Sequence, residues 1–153
     1  MLAETGDWLA AKLRPGNVHT ADGFVDHLLP VIDQVEEHMA PVEAVRGDAG
    51  MPSEPVLAAL EKRGIHYCFR IKSNEVLDRL AAPYFKRPVG RPPNDLREWV
   101  HELTYQAESW SKPRRVVLVV LERWDHGQGE LFLDYFFLVT NWTAKECAGE
   151  DVL

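Results

Sequence analysis

One aspartate has the surroundings that chemistry needs. Asp48 lies in Gly47-Asp48-Ala49-Gly50, directly after a predicted strand at residues 41–46 and ahead of a predicted helix. In open α/β sheets, ligand sites gather beyond the carboxyl ends of the strands. The flanking glycines let the backbone bend and let a ligand approach closely. A carboxylate in that place can bind a hard cation such as Mg²⁺. The same residue can equally satisfy the amides of its own turn, as Asp commonly does. The local sequence leaves both readings open.

Other chemistry-bearing residues form weaker patterns. The histidines His19, His27, His38, His66, His101 and His126 show no metal-ligand spacing. Cys68 and Cys147 form neither a metal pattern nor a disulfide framework. Ser53 has no nucleophile elbow around it and reads as a helix cap. There is no Walker loop and no dinucleotide glycine pattern. Asn141-Trp142-Thr143 matches a glycosylation acceptor, but no secretory signal accompanies it. Val89-Gly90-Arg91-Pro92 is similar to the Arg-Gly-Arg-Pro core of minor-groove hooks. Val89 stands where the first Arg belongs, so a rigid linker is the preferred reading. The aromatic stripe Tyr105, Trp110, Trp124, Phe132, Tyr135, Phe136 and Phe137 reads as core rather than as a base-stacking platform.

The elements that must position Asp48 can be read from periodicity. Residues 8–13 (WLAAKL) read as a short strand, broken by Pro15-Gly16-Asn17. Thr20 is a candidate N-cap for a helix to about His38, with Phe24, Leu28, Leu29, Ile32 and Val35 on one face. Pro30 predicts a kink inside it. Ser53 can cap a second helix that ends at Gly64. Residues 65–71 alternate: Ile65, Tyr67, Phe69 and Ile71 on one face, His66, Cys68 and Arg70 on the other. Ser73 or Asn74 starts a third helix. Residues 86–93 (KRPVGRPP) hold too many prolines for a helix or a central strand and read as a linker. Three strands follow at 98–106, 114–124 and 130–141, an antiparallel meander with turns at 111–113 and 125–129. The β-α-β-α-β-α order of the first 85 residues argues for an α/β layer with an added β unit.

The chain has 153 residues, a one-domain length, with 46% apolar residues and a net charge of −7. That total speaks against a simple cationic nucleic-acid binder. The distribution is uneven: 3 basic and 11 acidic residues in 1–61, 12 and 6 in 62–115, 2 and 7 in 116–153. A cationic middle can meet phosphate locally, because charges are screened beyond about 8 Å. The alternative is a solvated surface with unevenly spread charge. The apolar stretch 116–121 is too short to span a bilayer, and the acidic start is no secretion signal. A soluble, reducing, cytoplasmic setting without a membrane partner is expected.

The segments LRPGNVH (13–19), VRGDAG (45–50), LEKRGIHYCFRIKSNEVLDRLA (60–81), KRPVGRPP (86–93), YQAESWSKPRRVV (105–117) and FLVTNW (137–142) occur in an informative order. In that order they closely resemble bacterial insertion-sequence DDE transposases with a ribonuclease-H-like catalytic domain. The resemblance runs from about residue 8 to residue 141. It implies metal-dependent DNA strand cleavage and transfer, with Asp-Asp-Glu carboxylates holding two Mg²⁺ ions about 3.5–4 Å apart. Asp48 matches the second Asp of that triad, as catalytic and metal-binding residue.

The resemblance also implies what to expect of the rest. The first Asp belongs on a strand upstream of LRPGN, and the Glu on a helix downstream of the TN pair. Asp7, Glu146 and Glu150 do not match either context. The expected protein is therefore a truncated and inactive transposase, a remnant of an insertion element. Residues 1–85 would be a partial ribonuclease-H-like core, 86–97 a basic proline-rich linker, 98–141 an antiparallel β insertion and 142–153 a non-homologous tail. Residues 8–13 would be the family's third strand and 42–46 its fourth. With the strands between them missing, either 8–13 pairs directly beside 42–46 or the N-terminal part is loose. Arg87, Arg91, Lys112, Arg114 and Arg115 are the expected DNA contacts, with transposon-end DNA and intact transposase as partners. The alternatives are a regulatory DNA-binding fragment, or an unrelated small α/β binding module in which Asp48 is only a turn residue.

Overall fold

Backbone chemistry sets the element ends. In the computed structural model, which describes residues 1–3, 5–13, 15–18, 21–87, 89–91, 95–125 and 129–152, Gly64 takes the left-handed conformation at φ 70° and stops helix α2 (Glu54–Arg63). Asn74 caps the start of α3 (Glu75–Ala81), its side chain accepting hydrogen bonds from the Val76 and Leu77 amides. Helix α1 (Phe24–His38) starts after Gly23 and runs through Pro30. The expected cap Thr20 lies outside the described residues, as do Pro88, Pro92 and Pro93 of the linker and His126–Gln128 of the last turn. Ser53 sits at the N-cap of α2 without a side-chain capping bond; Pro55 in the first turn needs no amide partner.

Five strands follow the expected order: β1 (Ala44–Gly47), β2 (His66–Ile71), β3 (Arg97–Tyr105), β4 (Arg114–Asp125) and β5 (Glu130–Thr140). They form one mixed sheet in the order β1-β2-β5-β4-β3. β1 and β2 are parallel, as the intervening helix α2 requires. β3, β4 and β5 are the antiparallel meander. β5 also pairs antiparallel with β2, Cys68 opposite Thr140 and Ile71 opposite Phe137, so the meander and the α/β part share one sheet.

Residues 8–13 do not form the expected strand. Trp8 is 82% exposed and Leu13 99%. The edge strand β1 pairs only with β2, so its outer edge is open, and residues 8–13 do not take up that ladder. Leu9 instead lines a cavity beside α1 with Val31, Val35 and Met39. The six-residue pattern was apolar enough for a strand, but a strand needs a hydrogen-bonding neighbour as well as a pattern.

The two sheet faces are covered differently. Tyr67, Phe69, Val116, Leu118, Val120, Phe137 and Val139 pack under the helices, against Ile32, Val56, Leu57, Leu60 and Leu77. Cys68, Val117, Val119 and Leu138 pack on the opposite face against Val152, with Trp142 and Cys147 nearby. Residues after β5 therefore cover part of the sheet. The Val152 carbonyl accepts from Arg46 Nη2 at 3.3 Å and from the Cys68 thiol at 3.6 Å.

Asn141 closes the sheet where its ladder ends. Its Oδ1 accepts from the Tyr67 amide at 2.9 Å, and its Nδ2 donates to the Ile65 carbonyl at 3.0 Å. Asn141→Ala removes both bonds from a partly buried position and should cost about 1–2 kcal/mol. Urea unfolding would show this as a lower midpoint at unchanged slope. An unchanged midpoint would mean that water replaces both bonds.

Candidate functional site

Asp48 follows β1 immediately, at the carboxyl end of the parallel pair, and is exposed. Its Oδ1 accepts from the Ala49 amide at 2.6 Å, and its carbonyl accepts from the Met51 amide at 3.1 Å. The carboxylate thus satisfies its own turn with one oxygen, while the side chain stays open to solvent. The two readings of Asp48 are compatible in space.

Gly47 fixes where that turn can sit. A Cβ at this position would meet Met51 Sδ at 2.5 Å and the Phe69 ring at 2.8 Å. Phe69 is fully buried, so the close approach of backbone to ring requires glycine. Among the described residues, no group of three or more His, Cys, Asp or Glu side chains is arranged to hold a metal ion.

The five expected DNA-contacting cations are spread over different surroundings. Arg114 is 5% exposed and lies between two glutamates of α2. Its Nη1 binds Glu54 Oε2 at 2.7 Å and its Nε binds Glu61 Oε1 at 2.8 Å. Its guanidinium also stands 5.3 Å from the centroid of the Trp110 ring. Lys112 Nζ joins the same cluster, 2.9 Å from Glu61 Oε2, and the Tyr67 hydroxyl donates to Glu61 Oε1 at 2.9 Å. Successive residues of a strand point to opposite faces, so Arg115 faces away from α2. It holds Glu102 with two bonds at 2.6 and 2.8 Å, and it donates to the Trp142 and Cys147 carbonyls at 3.0 Å each. Arg87 turns back onto Glu122, which is fully buried and also bound by Arg97 Nε at 2.7 Å. Arg91 is exposed and has no ion pair among the described residues.

These pairs explain the segmental charge pattern. Glu54 and Glu61 come from the acidic first part, Glu122 from the acidic last part, and their partners from the basic middle. The hydrogen bond from Arg114 holds the Glu54 carboxyl down at about 2, against the opposing effect of burial. Burial alone would raise Glu61 and Glu122. Bonds from Arg114, Lys112 and Tyr67 outweigh it for Glu61, and bonds from Arg97 and Arg87 outweigh it for Glu122, so both lie below the usual carboxylate range. Burial, followed by the bond to Glu61, pushes the Tyr67 hydroxyl well up. The sequence carried the charges but not their pairing, because partners 53 to 60 positions apart meet only once β4 lies beside α2.

The family described as transposase DDE domain group 1 matches residues 2–152. The chain belongs to this transposase family. No match was found among curated proteins or among solved structures. The transposase match takes in residues 142–152, the segment that motif order leaves as a tail, and these are the residues that cover the second sheet face. The mixed five-stranded sheet with three α-helices is consistent with a transposase DDE domain. No helix among the described residues is long and apolar enough to cross a membrane.

Transposase DDE domains use divalent metal, so the donor set of this chain must be compared with that need. Two hard cations require several carboxylate oxygens converging on one place. Asp48 offers one exposed carboxylate, and the described acids nearest in role are engaged elsewhere: Glu54 and Glu61 with Arg114, Glu146 with the Thr143 amide at 2.8 Å. The described residues of this transposase chain do not fit a two-ion centre by themselves.

Proposed function

We propose that the chain represents the part of a ribonuclease-H-like DDE catalytic domain that carries the second carboxylate, Asp48, and that it does not cut DNA by itself. The observation that carries this reading is the placement of Asp48: an exposed carboxylate just past the carboxyl end of a strand in a parallel pair, in a turn that only glycine allows. That is where an α/β sheet presents a ligand-binding group. The substrate class is DNA, by family membership. The residues that match the family motifs include one carboxylate of the three, and one carboxylate cannot position two Mg²⁺ ions. Asp48 would be one ligand of that set, completed by carboxylates from elsewhere. Intact transposase is the proposed partner that would supply them.

The test is supercoiled-plasmid relaxation with the purified chain and Mg²⁺. Wild-type protein is expected to leave the plasmid supercoiled over hours. Nicking by the wild type that disappears in Asp48→Ala would overturn the inactivity, and would place a complete metal site within these residues.

A further inference from the structure

We infer that Arg70 is the residue through which this domain holds a DNA backbone phosphate beside Asp48. The inference rests on the transposase reading above and deepens it. Gly47 is the last β1 residue in register, opposite Phe69 of β2, so the next residues along the pair are Asp48 and Arg70. Arg70 is thus the β2 residue at the carboxyl end of the parallel pair, level with Asp48. Tyr67, Phe69 and Ile71 are buried toward the helices, which turns Arg70 to the opposite face. There its guanidinium carbon stands 4.7 Å from the centroid of the Phe136 ring on β5.

The state of this arginine differs from that of the paired ones, and Arg123, 5.6 Å from the Phe132 ring, is the other arginine set over an aromatic ring. Arg87, Arg97, Arg114 and Arg115 are bound to carboxylates. Arg70 is exposed and has no carboxylate partner among the described residues. Stacking on an aromatic ring holds the guanidinium plane in place without using its N–H groups. Its donors stay at the rim of the plane, where a phosphate can take two of them side by side. Lys72, exposed two residues further on, adds a second positive charge at the same strand end. Asp134 shares the face of Phe136 but forms no ion pair with Arg70 among the described residues. The cations that composition marks for DNA are mostly spent on the fold, whereas Arg70 is preorganised and unspent.

The experiment is fluorescence anisotropy of the 153-residue chain with a labelled DNA duplex, at low and then rising salt. Arg70→Gln should weaken binding about threefold to tenfold and lower the slope of log K against log salt by about 1. Phe136→Leu should weaken binding without changing the slope, since the charge remains. Arg79→Gln, an exposed cation on α3, is the comparison and should change neither quantity appreciably. Unchanged circular dichroism and thermal midpoint for Arg70→Gln and Arg79→Gln would confirm intact folding. If Arg70→Gln binds like the wild type, or if Arg79→Gln loses as much, the assignment of Arg70 is overturned and the transposase reading stands. If the wild type binds no duplex even at low salt, the DNA reading of these residues fails with it.

Discussion

Arg114→Ala is expected to destabilise the protein by about 3–5 kcal/mol at neutral pH, the range for removing one partner from a buried charge cluster. Arg114 is almost completely buried and holds Glu54 and Glu61 together at 2.7 and 2.8 Å. Without it, two carboxylates of one helix are left with Lys112, 2.9 Å from Glu61, as the remaining cation of the cluster. The loss should depend on pH with a definite sign. Glu54 has its folded value lowered to about 2 from 4.5, chiefly by the bond from Arg114. A lowered carboxylate contributes stability above its unfolded value and loses it as pH falls toward the folded one. Wild type and Arg114→Ala should therefore differ fully above about pH 4.5 and converge as pH falls toward 2. Urea titrations at pH 7, 4 and 3 measure this. A difference that stays constant across that range would mean that Arg114 acts through packing on Trp110 alone.

Gly47→Ala is the second large effect, about 3 kcal/mol, at the upper end of the usual cost of overpacking. The added Cβ meets both Met51 Sδ and the Phe69 ring. Phe69 is fully buried in the core under the helices and has nowhere to go. Met51 is only partly buried, so its flexible side chain is the one that can give. Met51→Ala in the same chain should accordingly restore part of the loss, leaving the share due to Phe69. Thermal midpoints of the two single variants and the double variant form the cycle. Simple additivity in that cycle would show that the alanine does not press on Met51. Because the turn that carries Asp48 starts at this contact, the same substitution also moves the carboxylate.

Helix and strand placement was legible because it depends on neighbours in sequence. Asn74 starts α3 through its capping side chain and Gly64 ends α2 through its left-handed backbone, and both fall where pattern and composition put them. The alternation at residues 65–71 likewise gives the faces of β2 correctly. Residues 8–13 show the limit. Their composition suits a strand, yet pairing depends on what lies beside them, and that is a property of the sheet. The site shows the same division. The placement of Asp48, exposed just past a strand, was legible from its glycines and the strand before it. The fate of Arg87, Arg114 and Arg115 was not, since a cation is free or spent according to carboxylates brought in from distant positions. Arg70 carried no local signal beyond its alternation. Only the register of β2 against β5 lays it on Phe136.

The strand order has a consequence for how the chain reaches its fold. The last strand of the sequence, β5, is the middle strand of the sheet, between β2 and β4. During synthesis β1 and β2 emerge well before β5, and the edge of β2 that pairs with β5 stays unsatisfied until residues 130–140 arrive. A two-stranded parallel pair is not stable in isolation. Closure of the sheet must wait for a contact spanning about 70 positions, so formation is slow and nearly all-or-none. Any halt in translation before β5 would leave an open hydrophobic edge available to other chains.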